Sequence, residues 1–354
     1  MFSQSPFSNS SRSGRPDDRR RRRRIGGAWL LALASCATVA GPFGSTPSVS
    51  AAPVGATQAG GPVILDGTDS GLHGSIMLDG SGVPKASELR STWVYELKAW
   101  ETLLAGVPSS YAHNGKVAIV GATDSTATGN NCGAAAHYIA ERLASGSVTV
   151  DYFDGQTQIS TLFDGVLAGT TNYHMIQIVE QGWCNNGLDS TEAATVNSRG
   201  PAIAAHVNRG GALFAQSQSY GWLNSLFTDL AASTAGCSGS TPELTAAGYA
   251  QFPDLTNADI AAPWHNCFTA TGEFPLTQLA LQSGTHTVIL GGDSVTLPST
   301  VSLSTSPEQP RPGDTVCTTA TVVSGGVPVE GASVEFFVDG ESVGTEVTNA
   351  DGEA

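Results

Sequence analysis

The sequence predicts an α/β domain on a doubly wound, mostly parallel sheet, followed by the opening part of an all-β region. Three observations carry this expectation. Short β-branched runs alternate with longer helical stretches from Val63 to about Leu297. After Leu297-Pro298-Ser299 the pattern changes to period-two alternation without helical spacing. The first fifty residues have the composition of an export address rather than of a fold.

That address comes first in chain order. Eight arginines (Arg12, Arg15 and residues 19–24) precede an apolar stretch, residues 25–39, which gives way to Gly41-Pro42 and to Val49-Ser50-Ala51-Ala52. A basic segment, an apolar segment and a small-residue cleavage site make a secretory signal over residues 1–51, with a linker at 52–61. A spanning helix needs about 20 apolar residues, and this stretch is diluted by Gly26, Gly27, Ser35, Cys36 and Thr38. Leu33-Ala34-Ser35-Cys36 resembles the lipobox of bacterial lipoproteins, which would attach the protein to a membrane through a lipidated Cys36 and competes with cleavage at Val49-Ser50-Ala51. Arg23-Arg24 invites a twin-arginine reading, from which Ile25-Gly26-Gly27 departs. The expected location is extracellular or at the cell surface.

Removing that signal leaves 29 acidic against 8 basic residues, a formal net charge of −21. Such a field repels phosphate backbones, which argues against nucleic-acid partners. Of six cysteines, Cys132, Cys184, Cys237, Cys267 and Cys317 lie beyond the signal, and no pair has Cys-x-x-Cys spacing. In an oxidising compartment four of them form two disulfides. Three connectivities exist for four cysteines, and adjacency of the loops favours Cys132 with Cys184 and Cys237 with Cys267.

Within the α/β domain, residues 62–297, the first strand falls at Val63-Ile64-Leu65 and a helix over 92–104, with Trp93, Leu97, Trp100 and Leu104 on one face. Lys116-Val117-Ala118-Ile119-Val120, closed by Gly121, reads as a buried parallel strand. A helix over 132–144, a strand over 148–153, a short helix over 159–167 and a strand over 175–179 follow. Residues 191–207 read as a helix interrupted at Gly200-Pro201, and Gly210-Gly211 stops it before the strand Ala212-Leu213-Phe214-Ala215. A further helix over 222–230 and a last strand, Thr287-Val288-Ile289-Leu290, complete the reading. This succession resembles the flavodoxin-like sheet of class I glutamine amidotransferases and related trehalose-utilisation-type domains. The segments Phe252 to Asp259, Pro263-Trp264-His265-Asn266 and Val288-Ile289-Leu290-Gly291-Gly292 look like exported bacterial domains that precede immunoglobulin-like repeats.

From residue 298 onward, Val301-Ser302-Leu303, residues 315–323 and residues 333–338 read as strands separated by Pro- and Gly-rich turns. Pro312-Gly313, Val327-Pro328-Val329 with Gly331, and Thr348-Asn349-Ala350-Asp351-Gly352 resemble the bacterial immunoglobulin-like repeats of invasin- and intimin-type adhesins. Such a sandwich takes about seven strands in roughly 100 residues. Residues 298–354 are therefore expected to be an incomplete domain, with Cys317 either paired to a strand outside the sequence or a free buried cysteine.

Four places carry candidate chemistry. Ala215-Gln216-Ser217-Gln218-Ser219-Tyr220-Gly221 lies between a strand and a helix, where the resemblance to amidotransferases implies a nucleophile. Ser217 would be activated by His265, and its cysteine and glycine counterparts are missing from the motif. The plain alternative makes Ser217 and Ser219 helix caps. Asp66, Asp69 and His73 crowd the loop after the first strand, where calcium is the ion such ligands would hold, although aspartates and glycines also make ordinary turns. Gly121-Ala122-Thr123-Asp124 with Gly129-Asn130-Asn131 has the place of a phosphate cradle but lacks the lysine, and Asp124 repels an anion. A structural loop tied down by Cys132 is the better expectation. Trp183, Tyr220, Trp222 and Trp264 would form a sugar platform or close a core. Taken together, the sequence favours a non-catalytic exported module that binds a carbohydrate or protein, with the β region as spacer. An extracellular hydrolase or amidase using Ser217 and His265, or a calcium-stabilised adhesin domain, are the alternatives.

Overall fold

A computed structural model of the protein describes residues 35–38, 49–53, 60–76, 92–127, 131–143, 148–182, 184–216, 219–235, 237, 239, 241–295, 299–306, 315–324 and 327–354. Before the α/β domain come β1 (Ser35–Thr38) and β2 (Val49–Pro53). The domain then runs β3 (Pro62–Asp66), α1 (Ser70–Ile76), α2 (Thr92–Gly106), β4 (Lys116–Val120), α3 (Cys132–Arg142), β5 (Thr149–Phe153), α4 (Gln156–Leu167), β6 (Met175–Ile178), α5 (Ser190–Asn197), α6 (Gly200–Asn208) and β7 (Ala212–Ala215). An antiparallel extension follows: β8 (Leu230–Ser233), β9 (Glu243–Leu244), α7 (Ala246–Gln251), β10 (Cys267–Ala270), β11 (Gln278–Gln282) and β12 (His286–Ser294). The β region is β13 (Ser299–Ser306), β14 (Thr315–Ser324), β15 (Val327–Pro328), β16 (Ser333–Val338) and β17 (Glu341–Val347).

One mixed sheet in the order β5-β4-β6-β7-β3-β12-β10-β8 organises the α/β domain, with β11 and β9 added beside β12. Its first five strands are mutually parallel, and β12 turns antiparallel against β3. β3, β6 and β7 are buried at every residue, because helices cover both faces and leave no solvent side for polar alternation. α1, α2 and α3 pack on one another, and α4 packs on α5 and α6, giving two helical groups. β5, at the sheet edge, is only partly buried and carries polar Thr149 and Asp151. The expected break at Gly200-Pro201 separates α5 from α6, and Asp189 with Glu192 makes a reciprocal cap at the start of α5.

Two expectations change here. The stretch 222–230 is a single 3₁₀ turn, Leu223–Ser225, before β8 rather than a helix. Trp222, Leu223, Leu226 and Phe227 are all buried, and pairing of β8 with β10 outweighs their helical spacing. The last predicted strand, Thr287-Val288-Ile289-Leu290, lies within β12, and the unpredicted β8, β9, β10 and β11 continue the same sheet around it.

The β region forms two small antiparallel sheets, β1-β14-β13 with β15 beside β14, and β17-β16-β2. They share a core of Ala320, Val322, Val329, Ala332, Val334 and Phe336. Thr348 ties its turn, donating to Val329 O at 2.5 Å while accepting from Ala332 N at 2.8 Å. The strands of residues 298–354 are thus joined by two from before the α/β domain, within the stretch read as signal. Cys317 is neither free nor waiting for a later strand. It is disulfide-bonded, and the register of β1 on β14 sets Cys36 opposite it. Sequence reading missed this because the partner strand lies across the whole α/β domain from Cys317.

That domain is therefore inserted between strands of the β region, and its two ends meet. Gly60 N donates to Val295 O at 2.8 Å and Val295 N to Gly61 O at 3.2 Å. Asn208 Nδ2, at the end of α6, donates to Ser324 O of β14 at 2.6 Å. This places the β region at the edge of the sheet where the parallel strands begin. Cys132–Cys184 and Cys237–Cys267 are both disulfides, as the loops suggested, and they fit an oxidising, extracellular setting. No helix among the described residues is long and apolar enough to cross a membrane.

Candidate functional site

The edge where the parallel strands end holds most of the residues singled out from sequence. Asp66 closes β3, and its carboxylate folds back on the following loop. One oxygen accepts from Thr68 N at 2.8 Å and Thr68 Oγ1 at 2.7 Å, the other from Ser70 Oγ at 2.5 Å. Ser70 in turn accepts from Gln216 Nε2 at 3.0 Å, Gln216 Oε1 from Gln177 Nε2 at 2.9 Å, and Gln177 Oε1 from Trp100 Nε1 at 2.7 Å. This chain of buried side chains links β3, β7, β6 and α2. Gly67 is required within it, since a Cβ there would lie 2.3 Å from Asn266 O. The close approach lets His265 N and Asn266 N donate to Gly67 O at 2.8 and 3.0 Å.

Asp69 consequently meets His265, with Oδ2 3.2 Å from Nε2, while its Oδ1 lies 3.5 Å from His73 Nε2. The expected trio of Asp66, Asp69 and His73 does not converge on one point, because Asp66 is spent on its own turn. Among the described residues, the one place where three Cys, His, Asp or Glu donor atoms gather is Cys132, Glu180 and Cys184, and both sulfurs there are committed to the disulfide. Ser217 and Trp183 lie outside the described residues. Ser219, in the same motif, is buried and its carbonyl accepts from Trp222 Nε1 at 2.7 Å. Tyr220, Trp222 and Trp264 are buried too, so they close the core and form no surface platform. Gly239 packs against the Trp264 indole, which explains why this side chain turns inward.

Beneath Asp69 lie acids that sequence reading missed. Glu96 of α2 and Glu180 after β6 are fully buried. Loss of water raises the Glu96 carboxyl to about 8, with the Asp66 charge adding to it and hydrogen bonds from Gln216 and Ser70 opposing. Burial also holds Asp66 up at about 6 and Glu180 well above the usual carboxylate range. Glu96 and Glu180 therefore carry protons near neutral pH, whereas Asp66 gives up its proton above about pH 6.

The crevice between β4 and β6, where chain direction reverses along the sheet and open α/β sheets commonly hold ligands, is bridged. Cys132–Cys184 spans it. Asn186 Nδ2 donates to Thr123 O at 2.9 Å and to Asn131 Oδ1 at 3.0 Å. Asp124 is engaged by His137 Nδ1 at 2.7 Å. The Gly121-Ala122-Thr123-Asp124 loop is thus structural and tied down through Cys132.

The opposite edge presents a different situation. A cavity of about 430 Å³ lies between the strand beginnings and the β region, lined by Tyr111, Asn172, Asn208, Arg209, Ser324 and Glu330 among others. Among the described residues, four buried polar atoms of this lining have no hydrogen-bond partner: Tyr111 Oη, Asn172 Oδ1, Asn208 Oδ1 and Arg209 Nε. The Tyr111 hydroxyl is pushed up to about 12 by burial, so it remains a donor. Its ring is held by His206 and His113 at 6.2 and 5.8 Å, and Arg209 is anchored by donating to Val166 O. The lining offers two donors, two acceptors and the opposed charges of Arg209 and Glu330. No sequence motif announces it, for its residues come from three separate loops and a β region more than 100 residues away.

No family model matches this chain, and neither curated proteins nor solved structures show a match to it.

Proposed function

We propose that the protein is an exported binding module, in which a flavodoxin-like α/β domain is held by an immunoglobulin-like β region and takes a neutral, hydroxyl-rich ligand such as a saccharide at their junction. The orphaned polar atoms around the 430 Å³ cavity carry the proposal. A buried polar atom without a partner costs about 1–3 kcal/mol, and hydroxyl groups, which both donate and accept, answer such a mixed lining. The volume is in the range of small-molecule sites, and a lining that holds both Arg209 and Glu330 favours no net ligand charge. Calorimetric titration with neutral and acidic mono- and disaccharides is the test. A neutral sugar should bind, and Tyr111→Phe and Asn172→Ala should each weaken it about tenfold or more, while His265→Ala leaves it unchanged. Binding of none of the neutral sugars, or indifference to both cavity variants, refutes the proposal.

A second reading, an extracellular hydrolase, is favoured by the Asp69–His265 contact of 3.2 Å. Asp69 would orient the imidazole and Ser217 would be the nucleophile. Labelling of Ser217 by a fluorophosphonate, lost in both His265→Ala and Asp69→Ala, is its signature.

A further inference from the structure

Cys132 is the first residue of α3, whose amino end is capped by Asn131 Oδ1 accepting from Ala134 N at 3.0 Å. Its disulfide partner, Cys184, sits in the loop after β6 and is partly exposed, whereas Cys132 is 1% exposed. Glu180 Oε1 accepts from Gly71 N at 2.8 Å, which leaves Oε2 to face the sulfurs, 3.4 Å from Cys184 Sγ and 3.6 Å from Cys132 Sγ. We propose that Cys132–Cys184 is an exchange-competent redox pair, opened by attack of an external dithiol on Cys184, with Glu180 as the proton donor to the departing Cys132 sulfur.

A thiolate of the dithiol bonds to Cys184 Sγ, the Cys132–Cys184 bond breaks, and its electron pair leaves on Cys132 Sγ. The amino end of a helix favours that thiolate, and a stabilised leaving thiolate departs faster. Glu180 passes its proton to Cys132 and is reprotonated from solvent. The second thiol of the reagent then displaces Cys184, so the reagent becomes the disulfide and both cysteines become thiols. Glu180 can play this part because it is protonated in the resting state. Burial and the facing carboxyls of Asp69, Glu96 and Asp66 keep the proton on, against the opposing Gly71 N–H. His73 and His265 face Asp69.

The same molecule contains an internal comparison. Cys237 and Cys267 are each 4% exposed, and among the described residues no carboxyl contact to their sulfurs is found. Reduction of the folded protein by dithiothreitol, with each cysteine followed by alkylation and peptide mass spectrometry across pH 6–10, tests the proposal. Cys132–Cys184 should open about tenfold faster or more than Cys237–Cys267. Glu180→Gln, which keeps shape but cannot give up a proton, should slow it about tenfold or more, given the usual size of general acid catalysis. The pH profile separates a chemical from a supporting role. The wild-type rate should rise with the thiolate fraction and then bend over as Glu180 ionises, whereas in Glu180→Gln it should only rise. Equal rates for the two wild-type disulfides overturn the proposal even if the variant does not fold. A Glu180→Gln protein with unchanged rate and bend overturns it as well.

Discussion

Replacing Glu96 by Gln should stabilise the protein by an amount that depends on pH. Glu96 is fully buried and its carboxyl is raised from 4.5 to about 8. Gln216 Nε2 approaches Oε1 at 3.3 Å, while Oε2 has no hydrogen-bond partner among the described residues, so an amide of the same shape gives up little. In the unfolded chain the glutamate ionises near 4.5, whereas the folded chain keeps its proton until about 8. A group with its folded pKa raised favours folding fully below the unfolded value, and that advantage is lost as pH rises to the folded value. At about 1.4 kcal/mol per pH unit, the loss reaches about 3 kcal/mol at pH 7 and about 5 kcal/mol above pH 8. Glutamine does not titrate, so the variant should match wild type near pH 4.5 and exceed it progressively to pH 8. Asp66, which titrates at about 6 and repels Glu96, should steepen the wild-type curve around that pH. Urea unfolding followed by tryptophan fluorescence at pH 5, 6, 7, 8 and 9, with disulfides intact, measures the difference. A gap constant across this range refutes the assignment of Glu96 as a buried, protonated acid.

Three further outcomes follow from separate features. His206 is fully buried, its Nε2 lies 2.9 Å from Ala212 O, and burial lowers its pKa to about 4. The unfolded chain takes up that proton from about pH 6.5 downward, so wild type should lose about 3 kcal/mol between pH 6.5 and 4, and His206→Gln should flatten this acid limb. Replacing Cys237 and Cys267 together by alanine opens a loop of sequence separation 30 and should cost about 4 kcal/mol by chain entropy, read as a shift of the urea midpoint. A chain shortened to begin at Ala52 lacks β1, and its Cys317 should react with iodoacetamide, whereas the longer chain should not react without reductant. Equal labelling of the two contradicts the place of β1 beside β14.

The parallel core was legible because it is local. Val117 to Val120, Met175 to Ile178 and Ala212 to Ala215 are apolar runs closed by turn residues, and each is a strand buried on both faces. The antiparallel extension was not, since β8, β9, β10 and β11 are short, partly polar strands held by neighbours far along the chain. Asp66, Asp69 and His265 stood out as polar residues at loop edges, and the structure does bring Asp69 to His265. Glu96 gave no signal, because in the sequence it is one charge in an amphipathic helix, and only the packing of α2 on β3 and β7 turns it inward. Tyr111, Asn172, Asn208 and Arg209 look like ordinary loop and helix-end residues until the β region covers them.

Hydrogen–deuterium exchange of the protein saturated with a neutral saccharide locates the ligand most directly. Binding at the junction predicts slowed exchange in residues 108–114, 167–172 and 327–332, with segments 67–73 and 264–266 unchanged. Protection confined to those last two segments, around Asp69 and His265, would place the ligand at the other edge of the sheet and contradict the account.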